Sequence, residues 1–258
     1  MTTGRQLEGR RILVTGAATG IGAAAVHVFA AEGATVTATY RHSRPGSDVE
    51  ALARWLPCDF RDEEDAEATV AEAARGMGGL DVLLHAAGRW APGLAGDVTR
   101  AELDDMLDTN VKATVFANQA AFRAMSGGGG RIINLGSGEA ITGVAHAAAY
   151  SLSKGAVHSW TRAAARSWGS SGVTVNALVP AVETPGAERL REYMGPAGAA
   201  ALHASLATRM AVSSSSGEGL GDPVRDLGPM MVFLAGEGSR FVTGQLLSVT
   251  GGMTMLGA

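Results

Sequence analysis

Short apolar runs alternate with longer helical stretches along most of this chain. Seven of the apolar runs predict strands, and they cover residues 11–15, 35–39, 55–58, 81–85, 131–135, 173–178 and 246–249. Regular alternation of short strands with helix-length stretches indicates crossover helices and therefore a parallel sheet. We predict an α/β fold, a doubly wound sheet of about seven parallel strands with helices on both faces.

Three helix starts are marked by residues that cap helix N-termini. Asp62 precedes an acidic first turn. Thr99 and Glu102 have the spacing of a capping box. Asp222 is followed by Pro223, and proline is favoured at the first helical position. Each pattern predicts a helix that begins directly after the capping residue.

The domain organisation follows from the lack of any internal repeat or linker. We predict one domain over residues 1–258, although this length also allows two. Two segments have a biased composition. Gly127 to Gly130 are interpreted as a tight approach to the next strand, and residues 213–219 are rich in Ser and Gly.

Charge narrows the possible partners. The net charge is −4 and the pI is near 5.9. Nucleic acids and anionic membranes both need a basic face, so we expect neither as a partner. A small-molecule substrate is the better default, and no metal ion is expected.

Localisation is predicted to be cytoplasmic. Cys58 is the single cysteine, which excludes an intrachain disulfide and is compatible with a reducing compartment. Residues 1–11 lack the apolar core of a signal peptide. Residues 12–38 are apolar, but His27, Glu32 and repeated Gly and Thr argue against a membrane span.

A glycine-rich turn follows the first predicted strand. The sequence Thr15-Gly16-Ala17-Ala18-Thr19-Gly20-Ile21-Gly22 leads into an Ala-rich helix. Glycines let the backbone turn tightly and approach a pyrophosphate, whose charge is favoured by the free N–H groups of the helix start. The spacing differs from G-x-G-x-x-G, so placement between strand and helix is what makes this motif informative.

A phenol and an ammonium group occupy one face of a predicted helix. Tyr150 and Lys154 are four residues apart, and Ser137 lies thirteen residues before Tyr150. A neighbouring positive charge favours the phenolate and so lowers the pKa of a tyrosine. Alone, this pair is more often an exposed lysine beside a half-buried tyrosine.

Together these motifs resemble the short-chain dehydrogenase/reductase family, over nearly the whole chain. Ser137, Tyr150 and Lys154 fall where that family has its catalytic serine, tyrosine and lysine, and Asn110 matches its fourth catalytic position. The resemblance implies a Rossmann-type, ketoreductase-like oxidoreductase. It also implies a set of cofactor-binding residues, namely Thr15, Gly16, Thr19, Gly20, Ile21, Gly22, Arg41, Asp59, Phe60, Ala87, Gly88, Tyr150, Lys154, Pro180 and Thr184.

Three segments of the sequence depart from the family pattern. His85 stands where Asn is usual, so polar support beneath the cofactor's adenosine side is expected to differ. Ala181 replaces the Gly after Pro180, and Thr184 comes one residue earlier than the usual nicotinamide-contacting threonine. Thr250 replaces an Asp. None of these is one of the four catalytic positions.

The end of the second strand predicts NADP(H) over NAD(H). Tyr40 stands where NAD-preferring members of the family carry Asp, and Arg41 follows it. A guanidinium suits a 2′-phosphate, and His42 or Arg44 would assist it. In the alternative, Arg41 and Arg44 are ordinary solvated loop residues.

By analogy with the family, Trp90, Glu139, His146 and Tyr193 are predicted to face the substrate. For His146, the rarity of catalytic histidines among all histidines favours a packing or surface role instead. A substrate-covering segment is expected near residues 185–222. Its Ser- and Gly-rich part, residues 213–219, is predicted to be a mobile lid, with a plain surface loop as the alternative.

The resemblance favours NADPH-dependent reduction of a carbonyl to a secondary alcohol. In that mechanism Tyr150 donates a proton, Ser137 positions the substrate oxygen, and Lys154 lowers the pKa of Tyr150 and binds the nicotinamide ribose. Asn110 supports Lys154 through a water. The alternatives are an NAD-dependent dehydrogenase of a cyclic or secondary-metabolite alcohol and a non-catalytic cofactor-binding protein. Family members pair their long helices, so a homotetramer or homodimer is expected.

Overall fold

A parallel sheet forms the centre of the molecule. The computed structural model describes residues 5–125, 127–217 and 219–256. Its strands are β1 (Arg11–Thr15), β2 (Thr35–Tyr40), β3 (Arg54–Pro57), β4 (Val82–His85), β5 (Gly130–Leu135), β6 (Val173–Pro180) and β7 (Leu246–Val249). Neighbouring strands are all parallel, in the order β3-β2-β1-β4-β5-β6-β7. The predicted strands and the parallel α/β fold are confirmed.

Helices connect the strands. They are α1 (Gly20–Ala31), α2 (Ser47–Glu50), α3 (Glu63–Met77), α4 (Arg100–Met106), α5 (Ala113–Ala124), α6 (Glu139–Thr142), α7 (Ala148–Trp168), α8 (Pro185–Arg209) and α9 (Gly228–Ala235). Wider, π-helical turns cover Leu107–Lys112 and Pro223–Leu227, and single 3₁₀ turns cover Gly169–Ser171 and Glu237–Ser239. No helix in the described ranges combines the length and apolar character that crossing a membrane requires.

Helices cover both faces of the sheet because alternate strand residues point to opposite sides. In β1, Ile12 and Val14 pack in the core beneath α1 and α9. Leu13, between them, packs in a second core with residues of α3, α5 and α7. Burial on both faces explains why these strands are continuous apolar runs.

The predicted helix caps are confirmed. Asp62 accepts a hydrogen bond from the Asp65 backbone N–H at 3.0 Å. Thr99 and Glu102 form the reciprocal capping box. The Asp222 carboxylate accepts a bond from the Val224 N–H at 2.8 Å, before a turn that starts at Pro223.

Two glycine positions set the course of the chain. Gly129 has φ of +74°, and a Cβ there would lie 2.8 Å from the Gly172 carbonyl oxygen, so the expected tight approach before β5 is confirmed. Gly195 has φ of 69° and divides α8 into two helical segments. Such φ values are unfavourable for residues with a Cβ.

Chain order and strand order diverge beside β1. The chain moves outward from β1 to β2 and β3, then returns to β4 on the other side of β1. The connections that leave β1 and β4 therefore go to opposite faces, and a crevice opens at the carboxyl ends of these strands. Ligands of doubly wound sheets bind at this position.

Candidate active site

A cavity of about 610 Å³ runs along the carboxyl ends of the strands. Its floor is formed by residues that directly follow strands, among them Gly16 after β1, Arg41 after β2, Ala86 after β4 and Gly136 after β5. The second half of α8 covers one side through Leu202 and Leu206. One continuous cleft thus spans the sheet edge.

The glycine turn after β1 forms one end of this cavity. Gly16 has φ of +60°, and a Cβ there would lie 2.6 Å from the Ala87 Cα. A Cβ on Gly22 would collide with the Gly16 carbonyl oxygen. Thr19 makes no side-chain cap to α1, and the first turn of α1 contains no acidic residue. The free N–H groups at this helix start fit the pyrophosphate of a dinucleotide.

Thr15 lies behind this turn rather than on the cavity wall. Its Oγ1 accepts a hydrogen bond from the Ala87 N–H at 3.2 Å and lies 2.9 Å from Nδ1 of His85. Thr15 is fully buried. We therefore correct its sequence assignment: it supports the β4 loop and does not itself contact the cavity.

His85 takes over the place of the usual Asn as a neutral, buried side chain. Burial, with a smaller contribution from the charge of Lys154, lowers the pKa of His85 to about 3. In β4, His85 pairs in register with Thr15 of β1 and Asn134 of β5. The sheet is continuous at this position despite the departure.

Charged side chains gather at the ends of β2 and β3. Arg61 donates to the Asp59 carboxylate at 2.9 Å, and a guanidinium nitrogen of Arg41 lies 3.9 Å from it. These contacts, mainly the hydrogen bond from Arg61, lower the pKa of Asp59. Arg44 stacks over the Tyr40 ring at 5.5 Å. One carboxylate shared by two guanidiniums leaves net positive charge at this end.

Most other residues predicted to bind the cofactor also line the cavity. They are Gly16, Thr19, Gly20, Ile21, Gly22, Arg41, Asp59, Phe60, Ala87, Gly88, Pro180 and Thr184. Thr184 has a second contact, because its Oγ1 accepts a bond from the Ala187 N–H at 3.1 Å and caps α8. The residues present fit a dinucleotide laid along the strand ends.

Tyr150, Lys154 and Ser137 meet at the middle of the cavity. Tyr150 and Lys154 lie one turn apart on α7, and Ser137 follows β5. The Ser137 hydroxyl hydrogen-bonds the Tyr150 phenol. Lys154 Nζ donates to the Leu135 carbonyl oxygen at 2.9 Å and lies 5.9 Å from the Tyr150 ring centre.

The electrostatics of this group differ from the sequence expectation. Burial raises the pKa of Tyr150, and the charge of Glu139 adds to the rise, whereas the Ser137 hydrogen bond opposes it. Burial also lowers the pKa of Lys154 to about 8. The expected fall in the pKa of Tyr150 is not found, because desolvation by burial outweighs the effect of neighbouring charge. Tyr150 is protonated at neutral pH.

Asn110 lies in the π-helical turn Leu107–Lys112, directly behind the cavity wall. Its amide oxygen accepts from the Arg89 backbone N–H at 2.8 Å. Its amide nitrogen donates to the Arg89 carbonyl at 2.9 Å and to Ser153 Oγ at 3.0 Å. A Cβ on Gly88 would lie within 4 Å of both the Asn110 amide and Lys154 Nζ. Asn110 therefore joins the β4 loop to α7 beside Lys154.

Three of the four predicted substrate-facing residues lie together. Trp90 Nε1 donates to a Glu139 carboxylate oxygen at 3.1 Å, and the Trp90 ring lies 6.5 Å from those of His146 and Tyr150. Burial raises the pKa of Glu139. Tyr193 is not brought to this group: it is 49% exposed and is not among the residues that line the cavity.

Leu202 and Leu206, in the second half of α8, line the cavity and lie within the predicted covering segment, residues 185–222. In the serine-rich part, Ser215 donates through its N–H and hydroxyl to the Asp226 carboxylate, both at 3.0 Å. Residues 213–217 do not line this cavity, and the mobile lid there stays a prediction. Glu218, in the same predicted lid, lies outside the described residues.

Comparison with known proteins gives consistent matches. A family model described as enoyl-(acyl carrier protein) reductase matches residues 16–254. Versicolorin reductase 1 of Aspergillus parasiticus is 32% identical, over 98% of this chain and 99% of that protein. The 3-oxoacyl-(acyl carrier protein) reductase of Vibrio harveyi is 31% identical, over 97% and 99%. A short-chain dehydrogenase structure from Burkholderia cenocepacia, in complex with NADP, is 33% identical, with a TM-score of 0.81 over 96% and 99%.

Proposed function

This chain belongs to the short-chain dehydrogenase/reductase family and is an NAD(P)-dependent oxidoreductase acting on CH–OH and C=O groups, and we propose that it reduces a ketone to a secondary alcohol with NADPH. The observation that carries the proposal is the meeting of Ser137, Tyr150 and Lys154 in the cavity. Burial keeps the Tyr150 phenol protonated, as a proton donor requires.

The chain's own residues hold the reactants and move the proton. Bound NADPH supplies hydride chemistry to the carbonyl carbon. Tyr150 donates its proton to the developing alkoxide, and Ser137 hydrogen-bonds the same oxygen and stabilises its charge. Lys154, a cation near neutral pH, stabilises the phenolate that remains. We also assign to Lys154 the binding of the nicotinamide ribose, as in the family.

Asn110 has a positioning role in this proposal. Its side-chain amide is bonded to the Arg89 backbone and to Ser153, so it holds the β4 loop against α7. This contact places Gly88 beside Lys154. The water between Asn110 and Lys154 stays a prediction, as do the homotetramer or homodimer and the cytoplasmic location.

Preference for NADP(H) rests on the end of β2. Tyr40 offers no carboxylate to the ribose hydroxyls, and the Arg41 guanidinium lines the cavity there. Arg44 and His42 lie in the same loop. The Burkholderia cenocepacia relative, which binds NADP, supports this assignment.

A second candidate is NAD-dependent oxidation of a cyclic or secondary-metabolite alcohol. Asp59 shares its charge with Arg41 and Arg61, which weakens the pull of Arg41 on a 2′-phosphate. Hydride transfer is reversible, so the same residues serve both directions. A non-catalytic cofactor-binding role is disfavoured, because Ser137, Tyr150 and Lys154 are all present at the cavity.

Replacement of the phenol tests the proposed function. We expect Tyr150→Phe to lower kcat/KM for ketone reduction by about 10²- to 10⁴-fold, because the proton donor is lost. The measurement is NADPH absorbance over a panel of ketones and alcohols, with both nucleotides. Tyr193→Phe removes the same hydroxyl from a solvent-facing ring and is the matched control. Near-normal turnover in Tyr150→Phe contradicts the assignment.

A further inference from the structure

Two polar side chains at the substrate end have no part in the proposed proton transfer. Glu139 and His146 both line the cavity next to Tyr150. The charge of Glu139 acts on the phenol, and the charge of His146 acts on Glu139. A half-buried carboxylate and imidazole are expected to have hydrogen-bond partners, because removing a polar group from water without a partner destabilises the protein.

Glu139 is held in a fixed position by its neighbours. Its backbone N–H donates to Ser137 Oγ at 3.2 Å, so it is tied to the residue proposed to bind the carbonyl oxygen. The indole N–H of Trp90, a residue only 8% exposed, donates to Oε2. The second oxygen, Oε1, has no hydrogen-bond partner among residues 5–125, 127–217 and 219–256. Glu139 therefore presents an open acceptor close to the reacting carbonyl.

His146 is the second unused group. Its backbone carbonyl accepts a bond from the Gly93 N–H at 2.9 Å, which pins its loop to the one that carries Trp90. The ring lies 6.5 Å from that of Trp90. Nε2 is sealed from solvent and finds no hydrogen-bond partner in the part of the chain that the structure describes. An imidazole held beside a cavity without a partner fits a ligand that completes its hydrogen bonds.

Resting on the proposed ketone reduction, we infer that Glu139 and His146 form a polar subsite that selects hydroxy ketones, whose hydroxyl lies on a carbon near the carbonyl. The hydroxyl donates its proton to the open oxygen of Glu139 and accepts a hydrogen bond from the His146 ring. Val182, Leu202 and Leu206 add apolar side chains to the cavity lining. The remainder of the substrate is thus a hydrocarbon ring or chain.

Other substrate groups fit this subsite less well. A plain ketone leaves both Glu139 and His146 unpaired, and sites built to bind a hydroxyl reject analogues that lack it. An ammonium group only donates, so it satisfies Glu139 but not a donating imidazole. A hydroxyl is the small group that serves an acceptor and a donor together.

Matched ketones test the subsite through turnover. We expect 3-hydroxycyclohexanone to exceed cyclohexanone in kcat/KM by about tenfold or more, since only the hydroxy ketone forms a hydrogen bond to the charged carboxylate. Glu139→Gln preserves an acceptor for Trp90 but removes the carboxylate. This variant should lower the ratio of kcat/KM for the hydroxy ketone to kcat/KM for cyclohexanone by about tenfold, whereas the exposed Glu64→Gln control leaves that ratio unchanged. Equal losses on both ketones would overturn the inference.

Binding separates this inference from the proposed reaction. Calorimetry on the wild-type protein with NADP⁺ compares 1,3-cyclohexanediol with cyclohexanol. Tighter binding of the diol than of cyclohexanol, lost in Glu139→Gln and in His146→Ala, supports the subsite. If the protein binds the diol in this way but turns over no ketone, the proposed reduction is refuted and the subsite is not. Equal affinities for diol and alcohol overturn the subsite whatever the turnover. So does tighter binding of protonated 3-aminocyclohexanol, in which an ammonium group replaces one hydroxyl, than of the diol.

Discussion

The two ends of the cavity differ in which atoms form them: backbone atoms at one end and side chains at the other. The end beside β1 is shaped by backbone: Gly16, Gly20 and Gly22 remove side chains so that a helix start lies open. The end beside α7 is shaped by side chains from three separate segments, with Trp90, Glu139 and His146 in contact or near contact. Binding at the glycine turn depends on how closely the backbone can approach the ligand. Binding at the other end depends on side chains from distant segments, which only the fold brings together.

Adding a side chain at the glycine turn should have the largest effect on cofactor binding. Gly16→Ala places a Cβ 2.6 Å from the Ala87 Cα at a φ of +60°, so both sterics and backbone conformation oppose it. We expect NADPH binding to weaken about 100-fold or more and the free energy of unfolding to fall by about 1–3 kcal/mol. Nucleotide fluorescence titration and thermal unfolding provide the two measurements.

The matched control for that change is Gly96→Ala. A Cβ on Gly96 meets no atom within 4 Å, and its φ lies outside the left-handed region. Both variants make the same chemical change, so a difference between them isolates the tight turn. Wild-type nucleotide affinity in Gly16→Ala would show that close backbone approach is not what shapes this end.

Titration of Lys154 should have the next largest effect, at the junction of the two ends. Its pKa is lowered by burial to about 8, so the ammonium loses its proton as pH rises through that value. The raised pKa of Tyr150 keeps the phenol protonated over the same range. We expect kcat/KM for reduction to be constant below pH about 7.5 and to fall about tenfold per pH unit above 8.

A profile of kcat/KM against pH, from pH 6 to 10, measures this fall. Circular dichroism at each pH confirms that the protein stays folded and serves as the control. A flat kcat/KM up to pH 9.5 would show that the charge of Lys154 does not support the reaction.

Arg41 should have the smallest effect, confined to the cofactor end. Arg41→Ala removes one of the two guanidiniums beside Asp59. We expect KM for NADPH to rise about tenfold, with little change for NADH, because only NADPH carries the 2′-phosphate. Steady-state kinetics with both nucleotides decide it, with the exposed Arg166→Ala as control. Equal changes for both nucleotides would leave the proposed NADP(H) preference without support.

Local patterns were enough for the fold and for much of the cofactor end. Strands such as β1 are apolar on both faces and so stand out in the sequence, and the caps at Asp62 and Thr99 depend on residues at most three apart. The glycine turn follows β1 without interruption. These features depend on interactions between residues close together in the chain, so the order of residues is enough to predict them.

Other features depended on neighbours distant in sequence. Thr15 was expected at the cofactor but supports Ala87, a residue 72 positions away. Tyr193 was expected at the substrate but faces solvent, because the direction of a side chain on α8 depends on how that helix packs. The pKa of Tyr150 rises where a fall was expected, since burial, which the sequence does not report, outweighs charge.

The parallel sheet, the helix starts and the glycine turn can be read from the order of residues, as can the spacing of Tyr150 and Lys154, because each depends on local periodicity and conformation. Which polar groups share the cavity, and how they are charged, depends on the folded arrangement of distant segments. Trp90 and Glu139 are 49 residues apart, yet one hydrogen bond joins them. Burial and long-range contact set the chemistry of this site, and both exist only once the chain has folded.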